Sequence, residues 1–320
     1  MTAKPLRMAA LGMVMSLLAM AGANAQTRHD CQSGNCANGY GTSRYDGDLG
    51  NFVYSGNFSD GRFHGQGRIV SDDGSVFEGR FESGMPVNGR LEDTDGSVYQ
   101  GDLADWELNG RGTMTYANGD VYTGQWDDGY REGTGTLTAA AGASFTGEWS
   151  YDEPLEGVAA YADGHVYSGG FLYGEYSGEG RMIYPDGSVY DGAWVAGGRS
   201  GHGTYTGTTG AKFEGEWEYD HPSEGVMTLP DGTVYTGGFD NDVFEGQGKI
   251  TYPDGMVYEG GWAAGKRVGE GRAVFPDGLV FEGDWAEDLP VSGTLTETGA
   301  EPRPARFENG QFVWADVAVE

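Results

Sequence analysis

Three arginines are the first residues here whose type and spacing suggest chemistry. Arg131, Arg199 and Arg267 stand 68 residues apart, each between two glycines of a Gly-x-x-x-Gly run. A guanidinium is a rigid fork of donors that matches carboxylate, sulfate or phosphate oxygens. A spaced row of three could therefore read a repeating anionic partner such as a polysaccharide. The competing reading is that a copied turn carries a copied, solvated arginine. The setting is strongly acidic, with 19 Lys and Arg against 49 Asp and Glu and a net charge of −30. That charge excludes nucleic acid as a partner, since phosphate binding needs a basic footprint. It also argues against direct adsorption to an anionic membrane.

Other chemistry is thinly represented. The histidines, His29, His64, His165, His202 and His221, have no spacing that would assemble a metal triad. The many Gly-x-Gly pairs lie between short apolar runs rather than at strand-to-helix turns, so they are not dinucleotide fingerprints. Carboxylates are abundant, but nothing marks any two as the acid and base of a hydrolase. Asp-Gly pairs recur at Asp73, Asp95, Asp163, Asp186, Asp231, Asp254 and Asp277. Their oxygens could attract Ca²⁺ weakly, although one carboxylate per turn is a poor cage and Asp suits turn geometry anyway. The expectation is a protein with no catalytic residues, metal or cofactor.

The elements that hold these residues are a repeat. Copies start at Tyr54, Phe77, Tyr99, Tyr122, Phe145, Tyr167, Tyr190, Phe213, Tyr235, Tyr258 and Phe281. Each reads aromatic-x-Gly-x-apolar, a Gly-rich turn, Gly-x-Gly-x-apolar, then usually Asp-Gly. The second position is polar in every copy. The fifth is large and apolar: Phe58, Phe81, Leu103, Trp126, Trp149, Phe171, Trp194, Trp217, Phe239, Trp262 and Trp285. Alternation with period two marks a strand with one wet face. The central Gly weakens a strand, so its presence points to rings packed over bare backbone. Each copy is expected to be a β-hairpin, and successive hairpins to add edge to edge. The predicted fold is all-β: an elongated single-layer antiparallel sheet of about eleven hairpins, curved into a trough with the rings inside. Twenty-two strands about 4.8 Å apart would span roughly 100 Å.

A second period overlies the first. The shorter copies start at Phe77, Phe145, Phe213 and Phe281 and carry Pro86, Pro154, Pro222 and Pro290, again 68 residues apart. Three hairpins thus form one block, and Arg131, Arg199 and Arg267 keep one place in it. The six tryptophans Trp126, Trp149, Trp194, Trp217, Trp262 and Trp285 could stack on sugars or grip an apolar peptide. A one-layer sheet, however, has no other core, and core is the role expected for them.

The repeat resembles the MORN pattern, and the chain is similar to MORN-repeat proteins from residue 54 to about 300. That resemblance implies a sheet of hairpins and a role in scaffolding or protein interaction. The phospholipid binding proposed for some members fits poorly with the missing basic face.

The flanks read differently. Residues 1–25 have a basic start (Lys4, Arg7), an apolar run from Met8 to Met20 and the small-x-small end Ala23-Asn-Ala25. This is the pattern of a secretory signal peptide cut after Ala25, so a periplasmic or extracellular location is expected. Residues 26–53 look like a loosely ordered lead-in, in which Cys31 and Cys36 would close a small disulfide in an oxidising compartment. Tyr45-Asp-Gly47-Asp-Leu49 echoes Tyr99-Gln-Gly101-Asp-Leu103, so a degenerate capping strand could begin there. After Thr298 the pattern fails. Residues 301–320 hold a short hairpin around Phe307 to Trp314 that would cap the last edge. The sequence therefore reads as an exported, non-enzymatic scaffold or protein-interaction module. A carbohydrate- or envelope-polymer-binding (or lipid-associated) surface protein is the alternative, and a hydrolase with an unmarked carboxylate site is a remote one.

Overall fold

In a computed structural model, residues 28–47 and 50–315 are described. The expected signal peptide lies outside them. These residues form 26 strands and no helix. They divide into two compact units, one ending at Glu175 and one starting at Tyr176. Within each unit every strand pairs antiparallel with its neighbours in sequence.

The eleven copies are eleven hairpins. The first is β3 (Gly50–Ser59) with β4 (Arg62–Ser71), and the last is β23 (Val280–Ala286) with β24 (Leu289–Thr296). The fifth-position residues, Phe58 through Trp285, are all buried, as are the rings that open each copy. Neighbouring rings meet edge to face; Tyr122 lies 5.1 Å from Trp126 and 5.4 Å from Trp149. No second layer supplies this burial among the described residues. Within each unit the twist natural to strands must wrap the ring-bearing face around itself.

Tyr and Phe at the head of a copy are not interchangeable. In β9 (Val121–Asp127) and β10 (Tyr130–Thr138), Gly124 pairs with Gly135 and Trp126 with Arg131. Gln125 is left opposite a bulge, and its carbonyl accepts a hydrogen bond from Tyr122 Oη at 3.0 Å. All seven Tyr-headed copies make this bond to the residue three places on. In the Pro-bearing copy of β11 (Ser144–Ser150) and β12 (Glu153–Ala160), Glu148 pairs directly with Glu156. The bulge there falls one residue later, between Glu148 and Trp149, and the head residue is Phe145. A Cβ on Gly124 or Gly135 would run into the Tyr122 ring, so the invariant glycines are the floor on which each ring lies.

The lead-in departs from the loose segment anticipated. Arg28–Gly34 (β1) and Gly39–Gly47 (β2) are strands, and β2 pairs with β3. Tyr45 stacks on Phe52 at 4.9 Å, which extends the ring-lined face one hairpin before the first copy. Cys31 and Cys36 are bonded, with their Cα atoms 6.0 Å apart. At the other end Arg303–Glu308 and Gln311–Trp314 form a final hairpin.

Candidate functional site

The three arginines follow a two-residue turn and face the fifth-position tryptophan across their own hairpin: Trp126 with Arg131, Trp194 with Arg199, Trp262 with Arg267. Their side chains do not reach into solvent as a free row. Arg131 is only 3% exposed. Its guanidinium carbon lies 4.4 Å from the ring centre of Trp149, on the next hairpin, and 5.7 Å from that of Tyr122. Arg199 sits 4.2 Å from the Trp217 ring and Arg267 4.7 Å from the Trp285 ring.

A carboxylate completes each arrangement. Arg131 Nε donates to Asp152 Oδ1 at 2.9 Å, its backbone N–H to the same oxygen, and its terminal nitrogen to the Asp152 carbonyl. Arg199 with Asp220 and Arg267 with Asp288 repeat this set. Each arginine therefore ties one hairpin tip to the next. In other copies the same position holds Phe63, Leu108, Phe244 or a buried proline such as Pro154, each facing its fifth-position partner. The arginine fills a core slot, which accounts for its spacing without any ligand. Sequence alone offered a solvated guanidinium or a ligand reader, because the partner Asp lies 21 residues away in the next copy.

The six tryptophans are occupied in the same sense. All are buried, and each indole N–H donates to a glycine carbonyl fourteen residues earlier, as Trp149 does to Gly135 at 3.2 Å. Each packs against an arginine or T-shaped neighbouring rings and is at most 5% exposed, which leaves no open stacking platform for a sugar. Tyr116 places a buried hydroxyl with no hydrogen-bond partner, and desolvation pushes its pKa up to about 12.

The aspartates of the Asp-Gly turns are also in use. In each of the seven, one carboxylate oxygen accepts the backbone N–H two residues on, such as Thr233 N–H into Asp231 at 2.8 Å. That bond, helped by the Thr233 hydroxyl, holds the Asp231 pKa below its ordinary value. Among the described residues no three His, Cys, Asp or Glu side chains converge as metal ligands. His165 and His221 pair singly with Asp163 and Asp242, and His64 and His202 are exposed.

A different set of residues went unremarked in the sequence. The first residue of each two-residue turn has left-handed backbone: aspartate in the hairpins starting at Tyr54, Tyr99 and Tyr122, but tyrosine at Tyr151, Tyr173 and Tyr219. These tyrosines are 75, 87 and 84% exposed. Lining up the turns rather than the strands would have found them.

A family model described as the MORN repeat matches residues 54–76, 99–121, 122–144, 167–189, 190–212, 213–234, 235–257 and 258–280, together more than half of the chain. The hairpins headed by Phe77, Phe145 and Phe281, which it leaves out, are Pro-bearing ones with the smaller bulge. No curated protein matches the chain. Among solved structures it is similar to the wild-type TCP10 domain of Danio rerio CPAP. That match is 13% identical and covers 73% of this chain and 96% of that one, with a TM-score of 0.25. A streptogramin B lyase matches at 10% identity over 71% of this chain and 87% of that one, with a TM-score of 0.16.

Proposed function

Because the chain belongs to the MORN-repeat family, we propose that it acts as an exported scaffold that binds a protein partner along its repeated outer surface. The observation that carries this reading is how fully the interior chemistry is spent. Ring faces, indole N–H groups, guanidiniums and turn carboxylates are all engaged within the fold. What remains for a partner is the solvent face of the hairpins and their tips, both rich in carboxylates. A surface of this kind offers many similar contacts rather than one reactive site. Export rests on residues 1–25, and a scaffold of the cell envelope or its surroundings is the setting they suggest.

Affinity purification of the mature chain from an envelope fraction, after mild crosslinking, tests the proposal. Recovery of a defined protein partner supports it. Capture of glycans on an array without any protein partner would replace it with the envelope-polymer reading. Turnover in a hydrolase screen, abolished by a Glu-to-Gln or Asp-to-Asn change, would replace both. Mass spectrometry of the exported chain should find Gln26 at its N-terminus.

A further inference from the structure

Bulky residues avoid left-handed backbone, because the Cβ approaches the carbonyl oxygen; Asn, Asp and Gly are favoured in such turns. Tyr151 and Tyr173 nevertheless hold φ of 46° and 52°. A strained aromatic in a core would be compensated by burial. These two are 75 and 87% exposed and recover little. The ring of Tyr130 (41% exposed) lies 5.7 Å from that of Tyr151 at a steep angle, so the tips present a small aromatic cluster to solvent.

The repeat does not require this cluster. Ser83 and Glu287 occupy the position of Tyr151 in other blocks, and Asp105 and Asn241 that of Tyr173, with the same backbone. The rings are thus confined to a few tips although the turn is copied throughout. Strain, exposure and restriction to particular copies all point to something outside the fold.

The surrounding charge says what that is. From Asp127 to Glu175 there are nine carboxylates and one arginine, and Arg131 is already bound to Asp152. Exposed Asp127, Asp128 and Glu153 flank the rings. Aromatic faces among carboxylates, with no other Lys or Arg from Asp127 to Glu175, suit a guanidinium or ammonium group. Successive tips lie two strands apart, about 10 Å, which is also about three residues of an extended chain.

We propose that Tyr130, Tyr151 and Tyr173 form a docking site for an extended basic segment of a partner protein, with a cationic side chain at roughly every third residue. This deepens the scaffold reading and rests on it. Tyr219, 84% exposed at φ 49°, places a further ring of the same kind on the second unit.

The test titrates a fluorescent peptide with arginine at every third position into the full mature chain, at low and at raised salt. The comparison is Tyr151→Asn with Tyr173→Asn, which installs the residue the turn prefers and leaves the charge unchanged. The expected result is salt-sensitive binding, weakened about tenfold in the double variant, with thermal stability equal or higher. Three results would overturn the proposal: no peptide binding at low salt, equal affinity in the double variant, or a fall in stability that accompanies the lost binding. If the double variant still recovers its partner from the envelope fraction, this site fails while the scaffold reading stands.

Discussion

Arg131 and Asp152 join two successive hairpin tips through a nearly buried ion pair, with the guanidinium carbon over the Trp149 ring, 4.4 Å from its centre. Breaking a buried pair from one side leaves an uncompensated charge, at a cost of about 3 kcal/mol. Asp152 holds φ of 68°, which Asn also accepts, so Asp152→Asn removes the charge while keeping the turn. Asp288, in the equivalent pair with Arg267, is more exposed. Urea unfolding should therefore show Asp152→Asn to be the more destabilising of the two. Arg131→Lys should recover little of what Arg131→Ala loses, because an ammonium cannot stack and donate in the same plane.

Two tyrosines of one hairpin block should respond oppositely to loss of the hydroxyl. Tyr122 Oη serves the Gln125 carbonyl beside the bulge, and Tyr122→Phe strands that acceptor. A cost of about 1–2 kcal/mol is expected. Tyr116 Oη is buried with no partner, so Tyr116→Phe should be neutral or stabilising. Equal loss in both variants, measured as shifts of the urea midpoint, would show that the carbonyl of Gln125 is satisfied in some other way.

These pairs also show which parts of the fold were legible in the sequence. Period-two alternation and a 68-residue superperiod suffice for the hairpins, their number and the buried face, because they depend on residues two apart or on copies in register. The Tyr-to-Phe alternation was visible but mute. Its meaning lies in where the bulge falls, directly after the position-three glycine in Tyr-headed hairpins such as that of Tyr122 and one residue later in the Phe-headed ones, and the strand's own sequence does not show this. Arg131 was misread for a similar reason, since Asp152 and Trp149 belong to the next copy. Tyr151 and Tyr173 sit in turns, where sequence carries no hydrophobic period to violate. Their oddity appears only once φ is known.

Two glycines of one strand separate the two jobs that glycine does here. Both lie on β20 (Val243–Thr251). Gly248 supports the Tyr235 ring, and a Cβ there would collide with it. Gly246 has φ of 73° and nothing within 4 Å of the Cβ position. Gly246→Ala should cost only the backbone penalty, about 1–2 kcal/mol. Gly248→Ala must displace a buried ring and should cost about 3 kcal/mol or more. Near-equal thermal shifts would mean that the ring can lift from its floor, in which case the packing account of the repeat is incorrect.

The buried phenols set an alkaline limit on stability. Desolvation raises Tyr54, Tyr116, Tyr235 and Tyr258 from an ordinary pKa of 10.0 to about 12, and Tyr99, Tyr122 and Tyr190 higher still. The folded state thus holds protons that the unfolded chain gives up sooner. The resulting stability is complete below pH 10 and falls as pH rises from there through the folded values near 12 and above. Because seven such groups act together, the loss should be steep, and the fold should open before most of them titrate in place. Tyrosinate absorbance and far-ultraviolet circular dichroism are to be followed together from pH 9 upward (about one unit below the unfolded value). A cooperative rise in tyrosinate should coincide with loss of strand signal. Full tyrosinate formation while the strand signal persists would mean that water reaches the phenols behind the ring face.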